Sequence, residues 1–186
     1  MRIDQQGNQF EVVSFSSDTR VESLRAKNDK YFVILKKDNN RQICVYDLSG
    51  QLITSWQHPD LAGFNYSNKL AVIGNQVIVG NVSNRRLTVY SLTGDIIKHI
   101  PCTQLRNSSS ICEAGDDSVI ITKWLSEKVY KLSLTTGQIE WTSTDVRYPA
   151  ALVCYADQYV LLAADCSSDI NVLDINTGKK CYMMGF

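Results

Sequence analysis

Few residues of this 186-residue chain carry the usual means of catalysis. Histidine, the commonest proton shuttle near neutral pH, occurs only at His58 and His99. His58 precedes Pro59 in a polar, solvated stretch, while His99 lies inside an apolar run. No His/Cys/Asp spacing builds a metal site. Serines are plentiful, yet none stands in the G-x-S-x-G turn that exposes a nucleophile, and no glycine-rich phosphate loop occurs. Asp47 and Asp174 recur at equivalent places in a repeated pattern, which assigns them to turns rather than to proton transfer. The sequence therefore nominates no catalytic residue, no cofactor and no metal ligand.

A different set of residues invites binding. Arg41, Arg85, Arg86, Arg106, Lys123, Trp124, Arg147 and Tyr148 all fall in polar connections between apolar runs. Guanidinium groups with interleaved aromatic rings suit protein hot spots, and equally suit phosphate contact with base stacking. Arg41 and Arg85 recur in phase with a repeat, which favours a structural role in bonding neighbouring loop carbonyls. Arg86, Arg106 and Trp124 do not recur and are the better binding candidates, although Trp124 has the alternative of capping the core.

The elements that position these residues are copies of one design. Gln42–Trp56 reads as an apolar strand, a turn ending in Gly50, and a returning strand. The pattern recurs around Gly94, Gly137 and Gly178, and in worn form around Gly7, at steps of 43, 44, 43 and 41 residues. A hairpin of this length closes with a type I turn followed by a residue at positive φ, where glycine meets no Cβ clash. A second motif keeps the same phase: AKNDKYFVIL, AVIGNQVIVG, CEAGDDSVII and CYADQYVLLA each join a strand to a fully apolar one. Strand-only patterning with a period of 40–45 residues points to a β-propeller.

The expected fold is all-β: about four four-stranded blades at 20–58, 62–102, 107–144 and 148–186, plus an N-terminal hairpin, a partial blade, at 1–16. Pro59, Pro101 and Pro149 lie at the handovers between units, where no strand ladder needs their missing N–H. The first strand of the first blade is poorly marked, around Val21–Ala26. Four units and one hairpin do not obviously close a ring. The chain is then part of a longer propeller, or closes with four blades, or forms an open arc whose unpaired edges seek another chain.

Residues 77–100 resemble an NHL repeat, in which a polar loop with Asn and Arg precedes a V-(F/Y)-x-x-x-G-x-h-h hairpin, where h is apolar. Asn84, Arg85, Val89, Tyr90 and Gly94 fill that pattern, and Asn40, Arg41, Val45, Tyr46 and Gly50 fill it again in residues 33–56. The later units depart from it, with Glu127-Lys128 and Ser168-Asp169 where Asn-Arg would stand, and the landmarks of WD-type repeats are missing. The resemblance implies a module of the kind found in tripartite-motif proteins, where such propellers bind proteins and sometimes RNA.

Composition narrows the remaining choices. Hydrophobic content of 44%, charged content of 20% and zero net charge are ordinary for a globular chain and give no global pull towards nucleic acid or anionic membrane. Basic residues outnumber acidic ones 13 to 9 up to Arg106 and trail 6 to 10 beyond it, a bias read as uneven solvated faces. No apolar run approaches a membrane span, and Met1–Phe15 has no signal-like segment. The six cysteines form no C-x-x-C pair and read as reduced core residues in a cytoplasmic protein. The expected function is a non-catalytic scaffold that binds a protein partner through its loop face, with single-stranded RNA as the alternative ligand and self-association through open blade edges as a further possibility. An enzyme would need clustered carboxylates in a central channel, and the sequence offers none.

Overall fold

The computed structural model describes residues 2–3, 9–10, 13–38, 40–57, 69–105, 108–165 and 168–184. Its architecture is a β-propeller of four four-stranded antiparallel blades. The first blade comprises β3 (Thr19–Lys27), β4 (Lys30–Lys37), β5 (Asn40–Asp47) and β6 (Leu52–Gln57). The second comprises β7 (Lys69–Ile73), β8 (Gln76–Asn81), β9 (Arg86–Ser91) and β10 (Ile96–Pro101). The third is β11 (Ser108–Ala114), β12 (Ser118–Lys123), β13 (Lys128–Ser133) and β14 (Ile139–Ser143). The fourth is β15 (Pro149–Tyr155), β16 (Tyr159–Ala164), β17 (Ile170–Asp174) and β18 (Lys180–Met184). Ahead of them β1 (Arg2–Ile3) pairs with β2 (Gln9–Phe10) as a short antiparallel ribbon. The turn expected at Gly7 lies outside the described residues, as do the expected start of the second blade at 62–68 and the link at His58–Asp60.

The chain forms two compact units, 1–68 and 69–186. In the first, Val33, Leu35, Cys44 and Tyr46 make one side of the sheet, and Val13, Phe15 and Tyr31 pack against them. Phe15 meets Tyr46 edge-on at 6.1 Å. The poorly marked first strand proves to be nine residues long. Val21 and Leu24 remain exposed on it, so its apolar alternation is weak although its ladder to β4 runs from Thr19 to Lys27.

In the second unit β11 packs against both β7 and β15, so these are the inner strands. Pleating sends successive side chains to opposite faces. Ile111, Val119 and Ile121 join the second-blade residues Ala71, Ile78, Leu87 and Val89 in one core. Their sequence neighbours Cys112, Ala114 and Ile120 join Leu152, Val160, Leu162 and Leu173 of the fourth blade in another. Each sheet is thus apolar on both sides. Its fourth strand, by contrast, alternates with solvent, as the mixed burial of β10 and β14 shows.

The hairpins between third and fourth strands are closed locally. Asp47 Oδ1 accepts from the Ser49 and Gln51 backbone N–H groups at 2.8 and 2.9 Å. Asp174 Oδ1 does the same for Asn176 and Thr177, and Ser91 and Ser133 use their hydroxyls in the equivalent places. Gly50, Gly94, Gly137 and Gly178 follow at φ between 68° and 93°. In every blade the register then shifts just past the turn, as a glycine-led bulge requires.

The same turns receive the neighbouring blade. Ile100 lies over Gly137, and Lys98 Nζ donates to Leu134 O at 2.7 Å. The Trp141 indole covers Gly178 and donates from Nε1 to Ile175 O at 3.0 Å. A Cβ at Gly178 would come within 2.5 Å of the indole ring. Gly178→Ala is therefore expected to cost about 2–4 kcal/mol, combining overpacking with left-handed strain. Gly74→Ala, also at positive φ but with open space around it, should cost only about 1 kcal/mol in urea denaturation.

A second expectation concerns acid. Hydrogen bonds, first from the Ser49 hydroxyl to Asp47 and from the Thr177 hydroxyl to Asp174, hold both carboxyls below their ordinary 3.8. The folded state prefers them ionised, so their stabilisation is complete above the unfolded value and is lost as pH falls through the lowered folded one. The Asp47→Asn, Asp174→Asn variant should show a shallower fall of Tm below pH 4 than the parent chain.

Candidate functional site

The registers of the third blade place its connections at two ends. Ser108, Lys123 and Lys128 are cross-strand partners, and Val129 pairs with Ser143. Residues 123–128 and the links to neighbouring blades therefore share one end, while the turns 115–117 and 134–138 occupy the other. At the first end Lys123 closes β12, and the chain makes a single 3-10 turn over Trp124–Ser126. Glu127 ends that turn in the left-handed region, with its N–H bonded to Trp124 O.

Across from this loop, Val146 is buried and anchors the link between third and fourth blades. Arg147 and Tyr148 then project, with Tyr148 at φ 45° and its carbonyl accepting from Asp165 N–H at 2.9 Å. The Trp124 and Tyr148 rings meet at 5.5 Å with a 47° tilt. Tyr148 is 40% exposed and Leu125, beside the pair, 62% exposed. The Trp124 Nε1 and Ser126 Oγ atoms are buried and make no hydrogen bond among the described residues. The result is an aromatic pair with an apolar neighbour, preceded in sequence by Lys123 and Arg147 respectively, and with polar atoms held in reserve.

The other nominated residues are placed differently. Arg85 is exposed, at φ 51°, and its carbonyl accepts from Cys102 N–H at 2.7 Å, which ties the 81–86 loop to the link after β10. Arg86 is half-buried at the start of β9, on the same sheet face as Tyr90. Burial pushes the Tyr90 phenol up to about 12, and the Arg86 charge acts against that rise. Arg106 lies outside the described residues. His99 Nδ1 shares a hydrogen bond with Thr88 Oγ1 at 3.1 Å across the ladder.

Arg41, in the first unit, is buried. Its Nε and NH2 groups donate to Glu22 Oε2 and Oε1 at 2.7 and 2.9 Å, with side chains 3% and 4% exposed. Of its two readings, the structural one fits this geometry. Glu22 on β3 is a partner that the sequence did not point to. Glu22 was missed because it stands 19 residues away in a weakly patterned strand. Arg41 also lines a cleft of about 410 Å³ with Phe15, Leu35, Lys37 and Gln57. Lys37 pairs with Asp18 at 2.9 Å on a solvent-exposed part of that cleft's surroundings.

Among the described residues, no cluster of three His, Cys, Asp or Glu side chains could hold a metal. No helix there is long and apolar enough to cross a membrane. The five described cysteines form no disulfide, and burial pushes the Cys44 and Cys102 thiols up, which keeps them protonated near neutral pH.

No protein-family profile and no curated protein sequence matches the chain. Solved structures do. A chain of the mitotic checkpoint complex superposes with a TM-score of 0.68 at 12% identity, over 96% of this chain and 55% of that one. The WD40 β-propeller domain of Doa1 gives 0.67 at 12% identity, over 89% and 53%. Glutaminyl cyclase from Myxococcus xanthus gives 0.63 at 10%, over 93% and 75%. The chain thus spans about half the length of the first two. At such identities the likeness concerns the propeller fold alone, and it includes an enzyme as well as WD40 proteins.

One expectation follows for the buried ion pair. Arg41→Ala takes the two-point ion-pair partner from a buried carboxylate side chain, and should cost about 3–5 kcal/mol in chemical denaturation. Replacing both residues by methionine should recover most of that loss, since it removes the buried charge together with its partner.

Proposed function

We propose that this chain is a non-catalytic interaction module that presents the 123–128 loop and the 144–149 link to a protein partner. The observation that carries this reading is the Trp124–Tyr148 pair, partly open to solvent beside exposed Leu125 and Arg147. Tyr, Trp and Arg dominate interface hot spots because they offer large, stiff contact areas with polar edges. The WD40 fold likeness and the checkpoint-complex chain support a scaffold role. The Asn-Arg loops of the first two units make the NHL kind of propeller our finer reading. The described cysteines form no disulfide, which supports a reducing compartment such as the cytoplasm.

The test uses the full chain immobilised against a cell extract. Proteins retained by the parent chain should be lost when Trp124→Ala and Tyr148→Ala are combined, with the variant's melting curve as a fold control. Once a partner is isolated, each substitution should weaken its Kd roughly 30-fold. Equal retention by both chains would defeat the reading. Retention abolished by nuclease, with affinity falling steeply as salt rises, would replace the protein partner by single-stranded RNA.

Self-association is a second reading, favoured by a specific row. Val153, Leu161, Val172 and Tyr182 are successive cross-strand partners, so they lie on one side of the fourth blade. Val153 and Tyr155, two residues apart on that side, are 55% and 62% exposed. Light scattering should report the mass of two or more chains; the mass of one chain at high concentration would remove this reading.

A further inference from the structure

We propose that Cys112 and Cys154 are a modification site: a dithiol that a small disulfide oxidant converts into a cross-link between the third and fourth blades. The two sulfurs belong to the inner strands β11 and β15 of adjacent sheets. Their Sγ atoms stand 2.9 Å apart. A disulfide needs about 2.05 Å, so the bond requires an approach of about 0.9 Å, within reach of small side-chain adjustments. Both residues pack in the same apolar cluster with Ala114, Leu152, Val160 and Leu162, which holds the strands at fixed register. They are not joined as a disulfide in this structure.

Their exposures divide the labour. Cys112 is buried and Cys154 is partly open. The Cys154 thiolate attacks a disulfide of the oxidised-glutathione class, the S–S bond of the oxidant breaks, and one small thiolate leaves. Cys112 gives up its proton and attacks Cys154 Sγ in the mixed disulfide, releasing the second small thiolate. Two protein thiols lose two electrons and two protons, and the oxidant becomes two thiols. The product closes a loop between residues 42 positions apart and adds a second covalent tie between two sheets joined by the 144–148 link, side-chain packing and the Trp141–Ile175 hydrogen bond. The clamped pair belongs to the same two blades whose connections carry Trp124 and Tyr148.

The experiment treats the full chain with oxidised glutathione, blocks free thiols with an alkylating reagent, and maps peptides by mass spectrometry without reduction. The expected result is one linked pair, Cys112 with Cys154, and a Tm raised by roughly 5–10 °C that returns to its starting value on reduction. In Cys112→Ser the adduct should stop at a glutathione on Cys154, with no rise in Tm. Full alkylation of both residues in the treated parent chain, a persistent glutathione on its Cys154, or links only to other cysteines would overturn the proposal. So would a Cys112–Cys154 link that leaves Tm unchanged. The parent chain's map decides the matter even if the serine variant fails to fold.

Discussion

Burial of both faces of the third sheet is the constraint from which the second unit's structure follows. A four-stranded sheet with one apolar side can rest on a single partner. The third blade has apolar residues on both, because Val119 and Ile121 point one way and Ile120 the other. Leaving either side wet would expose several large side chains, at about 25 cal/mol per Å² of apolar surface. Neighbours on both sides are therefore required, and the inner strands β7, β11 and β15 provide the line along which they meet. The fourth strands β10 and β14 escape the demand, and there burial alternates with exposure.

Turn chemistry serves that packing twice over. The Asp or Ser before each hairpin satisfies turn backbone groups from within the same few residues. The glycine that follows permits the bulge, and at Gly137 and Gly178 it also leaves a surface without a side chain. Ile100 and Trp141 of the preceding blades fill those surfaces. One residue thus meets a local demand of backbone conformation and a long-range demand of close approach. The sequence pattern displays the first and conceals the second.

The propeller was legible because its signals are periodic and its cause is local. Strands β4, β8, β12 and β16 are continuous apolar runs, and their turns hold the residues that positive φ favours, apart from Ala156, which adopts φ 52° without a glycine's freedom. β3 was harder, since an exposed Val21 and Leu24 and a buried Glu22 invert the usual alternation. The site was legible only in part. Trp124 and Tyr148 stood out by type, but their meeting depends on how a one-turn helix and an inter-blade link fold back, which no spacing encodes. Arg41 was ambiguous because its partner lies on another strand. Cys112 and Cys154 looked like unrelated core residues, for their proximity exists only once two sheets have been set side by side.

The handover from one blade to the next has an evolutionary corollary. Ile100 upon Gly137 and Trp141 upon Gly178 are two instances of one joint, made from the outgoing strand of a unit and the bend of its successor. A gene segment encoding a whole unit carries both halves of that joint, so duplicating or deleting it leaves every remaining seam with matched halves. Such a chain can change in length by complete modules while the seams themselves stay under selection.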